Sequence, residues 1–201
     1  MTATTRVLAI NGSYRDNGIT DQALAAARKI LLERGAEVET IDLRRQEIDF
    51  CLNCRACTQV EGTDPGTCVI DDGMHDIVRK IEDADAYILA VPTNYSSATA
   101  IFKRFMERLT VYGYWPWGAT GPKDRKQHLP RKKALLITSC AAPGIFGRVL
   151  YGTGKQLRMV AKIIGAKTIG TVYIGLISDT PDAGLPGRAR MRTEELAAEL
   201  L

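Results

Sequence analysis

The chain has 201 residues, a formal charge of +4 and an apolar content of 45%, enough for one domain with a sizeable core. No apolar run is long enough to cross a bilayer, and the mild charge comes without zinc-finger spacing, an RNA-binding signature or a basic helix, so neither a membrane nor nucleic acid is an expected partner. The opening "MTATTRVLAINGS" lacks the features of a secretory signal, which points to the cytoplasm, where thiols stay reduced.

In chain order, residues 6–12 ("RVLAING") read as a short buried strand ending in turn residues. Residues 19–35 follow with helical spacing of Leu24, Ala27, Ile30 and Leu31, and Gly35 stops that helix. Residues 36–43 ("AEVETIDL") alternate as a strand does. The next stretch, 44–72, is too long for a routine connection and reads as a functional insertion between strand and helix. Beyond it, Asp72 is expected to cap a helix with His75 in its first turn. Residues 85–93 ("DAYILAVPT") form a continuous apolar run, as expected of a strand buried on both faces.

A helix over 97–113 places Ile101, Phe102, Phe105, Met106 and Leu109 on one side, as core packing. Trp115 and Trp117 in "YGYWPWG" either cover a cofactor or subunit interface or roof the domain's own core. The basic stretch 123–133, which includes His128, reads as a solvated loop, with an anion-attracting patch as the alternative. A buried strand (133–139), a helix (151–166), a last strand (167–175) and a terminal helix (192–201) complete the chain. Strands alternating with helices require right-handed crossovers, so the expected class is α/β, a doubly wound five-stranded parallel sheet with helices on both faces. A single domain spans 1–201, with the cysteine-rich insertion at about 44–72.

In such sheets ligands sit beyond the carboxyl ends of the strands, where strand order reverses. The first loop there is "NGSYRDNGIT". Gly12 permits a sharp turn, Ser13 and Thr20 offer hydroxyls, and the opening of the helix offers backbone N–H groups, together a phosphate cradle or an ordinary turn. Asp16 argues against an anion, and Arg15 beside it compensates. A Walker A loop would need Lys-Ser or Lys-Thr after the second glycine, whereas Ile19 and Thr20 follow Gly18; the dinucleotide fingerprint lacks its second glycine. Two further small-residue loops, "PTNYSSATA" and "SCAAPGIFG", emerge on the same edge.

These residues resemble the NADPH-dependent FMN reductase family of flavodoxin-like proteins. "NGSYRDNGITDQAL" is similar to the family's Gly-Ser-x-Arg-x-x-Gly-x-Thr phosphate loop, and "DADAYILAVPTNYSSATAIFKRFMERL" to its third-strand segment. The resemblance implies FMN, with Ser13, Arg15, Asn17, Gly18, Ile19 and Thr20 around the phosphate. It places Pro92, Thr93, Asn94, Tyr95 and Ser96 along the isoalloxazine ring, and Ser139, Cys140, Ala141 and Gly144 near its pyrimidine side. Many relatives carry an apolar residue, a Tyr and an aromatic where this chain has Thr93-Asn94-Tyr95. The implied activity is electron transfer from NADPH or NADH to a flavin, quinone or protein acceptor by a homodimer or homotetramer, with no acid–base residue demanded by hydride transfer.

Four of the five cysteines lie in "CLNCRACTQVEGTDPGTC". This stretch resembles the insertion of iron–sulfur flavoproteins, which implies Cys51, Cys54, Cys57 and Cys68 as ligands of a [4Fe–4S] cluster, although the gap to Cys68 is longer than in the compact motif. Thiolates three residues apart on a tight turn can converge on a cluster, which the physics favours, or on a zinc ion, and unligated redox-active or regulatory thiols remain a third reading. An electron carrier and a thiol or zinc regulatory domain therefore stand beside the enzyme. Cys140, alone in a strand-end loop, reads as a small packing residue or as a neighbour of the flavin edge.

Overall fold

The computed structural model describes residues 4–177 and 183–201. Its strands are β1 (Arg6–Asn11), β2 (Glu37–Asp42), β3 (Ala86–Asn94), β4 (Ser97–Ala98), β5 (Gly113–Tyr114), β6 (Lys123–Asp124), β7 (Lys132–Ser139) and β8 (Ala166–Ile174). The helices are α1 (Ile19–Glu33), α2 (Met74–Asp83), α3 (Ala100–Arg108), α4 (Gly144–Val149), α5 (Thr153–Ile163) and α6 (Gly187–Ala198). β2, β1, β3, β7 and β8 lie side by side in that order, all parallel. These are the five strands read from the sequence. Two short additions were not: β4 folds back on β3, and β5 with β6 makes a separate two-stranded ribbon.

The sheet is covered on both faces because alternate side chains leave it in opposite directions. Leu8 and Ile10 of β1 and Tyr87, Leu89 and Val91 of β3 pack with α2, α3 and α5. Val7, Ala9, Ala86, Ile88 and Ala90 pack with α1 and α6. The buried stretches of both strands, Val7 to Ile10 and Ala86 to Val91, are therefore continuously apolar or aromatic, with no polar face to alternate.

α3 is shorter than its periodicity suggests. Thr99 caps it, accepting the Phe102 N–H at 3.4 Å while its own hydroxyl donates to the Gly12 carbonyl at 2.7 Å. At the far end the chain tightens into a 3₁₀ turn, Leu109–Tyr112, where Thr110 and Val111 are poor helix formers. His75 does lie in the first turn of α2, and the Asp72 carboxylate accepts the Met74 N–H at 3.0 Å.

The basic stretch 123–133 is not a solvated loop throughout. Arg125 and Lys126 are 7% and 8% exposed. The Arg125 guanidinium donates to the carbonyls of Val111, Gly113, Gly62, Cys57 and Val60, at 2.8–3.2 Å. The physical reason is that segments 57–62 and 111–113 lie outside the main sheet and carry carbonyls that must find donors once buried. Lys126 pairs with Glu82 of α2.

Hydrogen bonds to a charged donor contribute about 1.5–3 kcal/mol each. Arg125→Met is accordingly expected to lower the unfolding free energy by about 3 kcal/mol, and to open 57–62 to protease before the sheet unfolds. Denaturant titration with limited proteolysis checks this; an unchanged midpoint and cleavage pattern would show that the segment is held by something else.

Candidate functional site

At the carboxyl ends of β1, β3 and β7, where the strand order reverses between β1 and β3, lies a cavity of about 300 Å³. The loop after β1 contributes Ser13, Tyr14, Arg15, Gly18, Ile19 and Thr20; the end of β3 contributes Pro92, Thr93 and Asn94. Ser139 and Ala141 come from the end of β7, and Ile177 and Ala183 from the segment after β8.

The first loop is shaped from behind. Asn11, at the tip of β1, donates its side-chain N–H groups to Asp21 of α1 at 2.9 Å and to Asp42 of β2 at 2.8 Å, and its side-chain Oδ1 accepts the Ser13 N–H at 3.0 Å. Gly12 suits a close approach, since a Cβ there would meet the Val91 side chain at 3.0 Å and that of Phe102 at 3.1 Å and one or the other would have to give way. Asp16 does not oppose an anion, since its carboxylate is engaged by Arg44 and Arg45. No side chain caps the start of α1 at Gly18, so the positive end of that helix opens on the cavity side. The Thr20 and Ser139 hydroxyls bond each other at 2.8 Å, joining the first and third loops, and the Thr93 hydroxyl bonds those of Thr138 and Thr153.

Ten of the fifteen flavin-site candidates thus line one cavity: Ser13, Arg15, Gly18, Ile19, Thr20, Pro92, Thr93, Asn94, Ser139 and Ala141. The other five lie outside its lining. Asn17 takes a left-handed conformation and donates its N–H to Asp21 at 3.1 Å. Tyr95 and Ser96 are both left-handed and form the tip of the tight turn between β3 and β4, with Tyr95 fully exposed. Gly144 opens α4. Cys140 is buried with its thiol 3.2 Å from the Ala142 carbonyl, and burial pushes that thiol up from its ordinary value. The sequence reading missed Tyr14, Ile177 and Ala183. It also missed Gln22, whose amide links the Asn17 carbonyl to those of residues after the last strand: Nε2 donates to Ala183 and Oε1 accepts the Leu185 N–H.

The cysteine segment lies on the α3 side of the sheet. Asn53 and Arg55 are both left-handed, which coils the Cys-x-x-Cys-x-x-Cys run tightly before a 3₁₀ turn, Ala56–Thr58. Gly66 packs so closely on this turn that a Cβ would lie 1.8 Å from the Cys57 carbonyl oxygen. Arg55 is stacked on Trp115 and Trp117, with its carbon 3.7 and 4.3 Å from the two ring centres, and it donates to the Trp115 carbonyl at 2.6 Å. The tryptophans therefore fasten the cysteine turn and do not line the cavity. All five cysteines are free thiols. Burial pushes the Cys57 thiol up, and the neighbouring sulfurs of Cys68, Cys51 and Cys54 add to the shift.

Among the described residues no group of three or more His, Cys, Asp or Glu side chains is placed to hold a metal ion. A cubane asks less convergence of its thiolates than one ion does, because each reaches a different iron. The donor set, four free thiols on one short segment, suits that chemistry.

Behind the thiols sits a buried ion pair. The Arg108 guanidinium, with its side chain 1% exposed, grips both oxygens of Asp72 at 2.6 and 3.0 Å. It also donates to the Asp49 carbonyl at 2.9 Å and to the Cys68 sulfur at 3.4 Å. Burial alone would raise the Asp72 carboxyl, but Arg108 and the N–H groups of Asp49 and Met74 outweigh it and hold the carboxyl below the usual carboxylate range.

A doubly wound sheet with a cavity at its reversal point defines a flavodoxin-like protein. The family model of NADPH-dependent FMN reductases matches residues 5–179, and the chain belongs to that family. An iron–sulfur flavoprotein of Archaeoglobus fulgidus is 36% identical over 55% of this chain and 48% of its own length. Another, from Methanosarcina thermophila, is 32% identical over 51% of each chain. The matched stretch thus spans about half the length of these curated relatives. A second A. fulgidus iron–sulfur flavoprotein is 26% identical over 89% of this chain and 83% of its own length. In fold, the chain is similar to an NAD(P)H:quinone oxidoreductase from Methanothermobacter marburgensis, with a TM-score of 0.67 and 18% identity, covering 98% of this chain and 97% of that one. It is also similar to an FMN-dependent NADH-azoreductase from Bacillus anthracis in complex with FMN, with a TM-score of 0.69 and 15% identity over 98% and 99% of the two chains.

Because the folded-state value of Asp72 is depressed, its pairing stabilises the protein above the ordinary carboxyl value of about 4 and is lost as pH falls through the folded value. Wild-type stability is expected to drop on acidification below about pH 4 more steeply than that of Asp72→Asn. Urea midpoints across an acid series check this, and parallel curves would refute it.

Proposed function

We propose that the chain is an FMN-dependent oxidoreductase that takes hydride from NADPH or NADH and passes electrons to a flavin, quinone or protein acceptor, as a cytoplasmic homodimer or homotetramer. The observation that carries this reading is the convergence of three loops on one cavity at the strand-order reversal, with the uncapped start of α1 on its edge. Bound there, FMN supplies the hydride acceptance and electron release. The chain's part is to bind and orient it. The Ser13 and Thr20 hydroxyls and the first amides of α1 would hold the phosphate, with Arg15 beside them. Pro92, Thr93 and Asn94 would lie along the ring, and Ser139 and Ala141 would face its pyrimidine side. Asn17, Tyr95, Ser96, Cys140 and Gly144 would then act from behind or beside the cavity.

A second reading deepens the first: Cys51, Cys54, Cys57 and Cys68 hold a [4Fe–4S] cluster that exchanges electrons with the flavin, making the chain an electron carrier. The influence of three neighbouring sulfurs, those of Cys68, Cys51 and Cys54, on the Cys57 thiol favours it over a solitary redox thiol, and several relatives carry the name iron–sulfur flavoprotein.

Anaerobic purification is expected to yield about one FMN per chain, with about four irons and four acid-labile sulfides on the second reading. Rapid steady-state NAD(P)H oxidation would favour the enzyme; reduction by a ferredoxin without it, the carrier. Thr20→Val is expected to weaken FMN binding by about tenfold, the loss of one hydrogen bond to a charged group. Quenching of flavin fluorescence on binding measures this. Unchanged affinity would remove Thr20 from the phosphate site.

A further inference from the structure

We propose that Arg108 is a positioning residue that sets the reduction potential of the cysteine site, through its N–H bond to the Cys68 sulfur and the Asp72 carboxylate that balances its charge. This rests on the reading of the four cysteines as cluster ligands. Arg108 lies on a helix face otherwise given to Phe102 and Phe105 and is 1% exposed, where an apolar side chain would pack at less cost. Its Nε has no hydrogen-bond partner among the described residues, while the two terminal nitrogens are fully engaged on the segment's side. Nη1 meets the Asp49 carbonyl and Asp72; Nη2 meets Asp72 at 3.0 Å and the Cys68 sulfur at 3.4 Å. Backbone N–H groups serve the Cys51 and Cys57 sulfurs, that of Asn53 at Cys51, whereas among the described residues the bond to the Cys68 sulfur comes from a side chain.

The electrostatic consequence has a definite sign. Uptake of one electron from a chemical reductant adds one negative charge, shared among iron and thiolate sulfur. An N–H directed at one of those sulfurs stabilises that extra charge and raises the potential. Burial keeps solvent and salt from screening the effect. Asp72 opposes it in part, because the carboxylate cancels the net charge of the guanidinium while leaving the N–H in place.

The two partners should therefore move the potential in opposite directions. Anaerobically reconstituted wild type, Arg108→Met, Arg108→Lys and Asp72→Asn would be poised at a series of potentials and the reduced cluster counted by electron paramagnetic resonance. The expected midpoints are more negative than wild type for R108M, less negative for D72N, and between wild type and R108M for R108K. A purely structural role predicts shifts of one sign in R108M and D72N, since both loosen the same packing; that result, or no shift, overturns the proposal. If R108M does not fold, D72N decides alone, and a midpoint that is unchanged or more negative overturns it. A wild type that takes up no iron refutes the cluster reading and this inference with it, whereas a loaded wild type with unmoved variants refutes only the inference.

Discussion

The bidentate pair of Arg108 and Asp72 joins the cysteine segment to α3 from inside the fold. Segment 44–72 leaves Phe50, Leu52, Val60 and Val69 exposed, so it cannot be held chiefly by apolar burial. Instead a few buried cations gather its backbone. Arg108 fixes its end beside α2, Arg125 collects the carbonyls of its middle, and Arg55 pins its turn between two indole rings. Arginine suits this work because it stays charged when buried and presents several N–H groups in one plane. Remove the guanidiniums and the carbonyls face an interior with no donor.

The cavity at the strand tips is built differently. Its floor is the tip of parallel strands, and its walls mix small residues such as Ser13, Gly18, Ser139 and Ala141 with Tyr14, Arg15, Ile19 and Ile177. Asn11 holds the tips of β1 and β2 and the start of α1 in register, so the first loop inherits the precision of the sheet. Thr20 with Ser139 carries that registration across to β7. The cavity is therefore specified by strand packing together with side-chain hydrogen bonds between strand tips, and the cysteine segment by cations on its carbonyls.

Much of this architecture was legible in the sequence, because continuous apolar strands and periodic helices leave few ways to close a parallel sheet. Ten of the cavity's residues were also legible, since loops at strand ends carry glycines and hydroxyls for reasons of local geometry. Arg125 was not, because a buried cation inside "KDRKQHLPRKK" has the same letters around it as an exposed one. Arg108 left a faint signal: it continues the stripe of Phe102 and Phe105, where a charge demands a partner. Ile177, Ala183 and Gln22 were illegible because contacts between the two ends of a chain have no short-range pattern.

The sandwich of Arg55 has an optical consequence. The chain contains only two tryptophans, Trp115 and Trp117, and both stack on that one guanidinium beside the cysteine turn. Indole emission from this protein is thus a local signal. It reports first on the coil around Cys54 and Cys57, and turns an ordinary fluorimeter into a probe of that loop without any label.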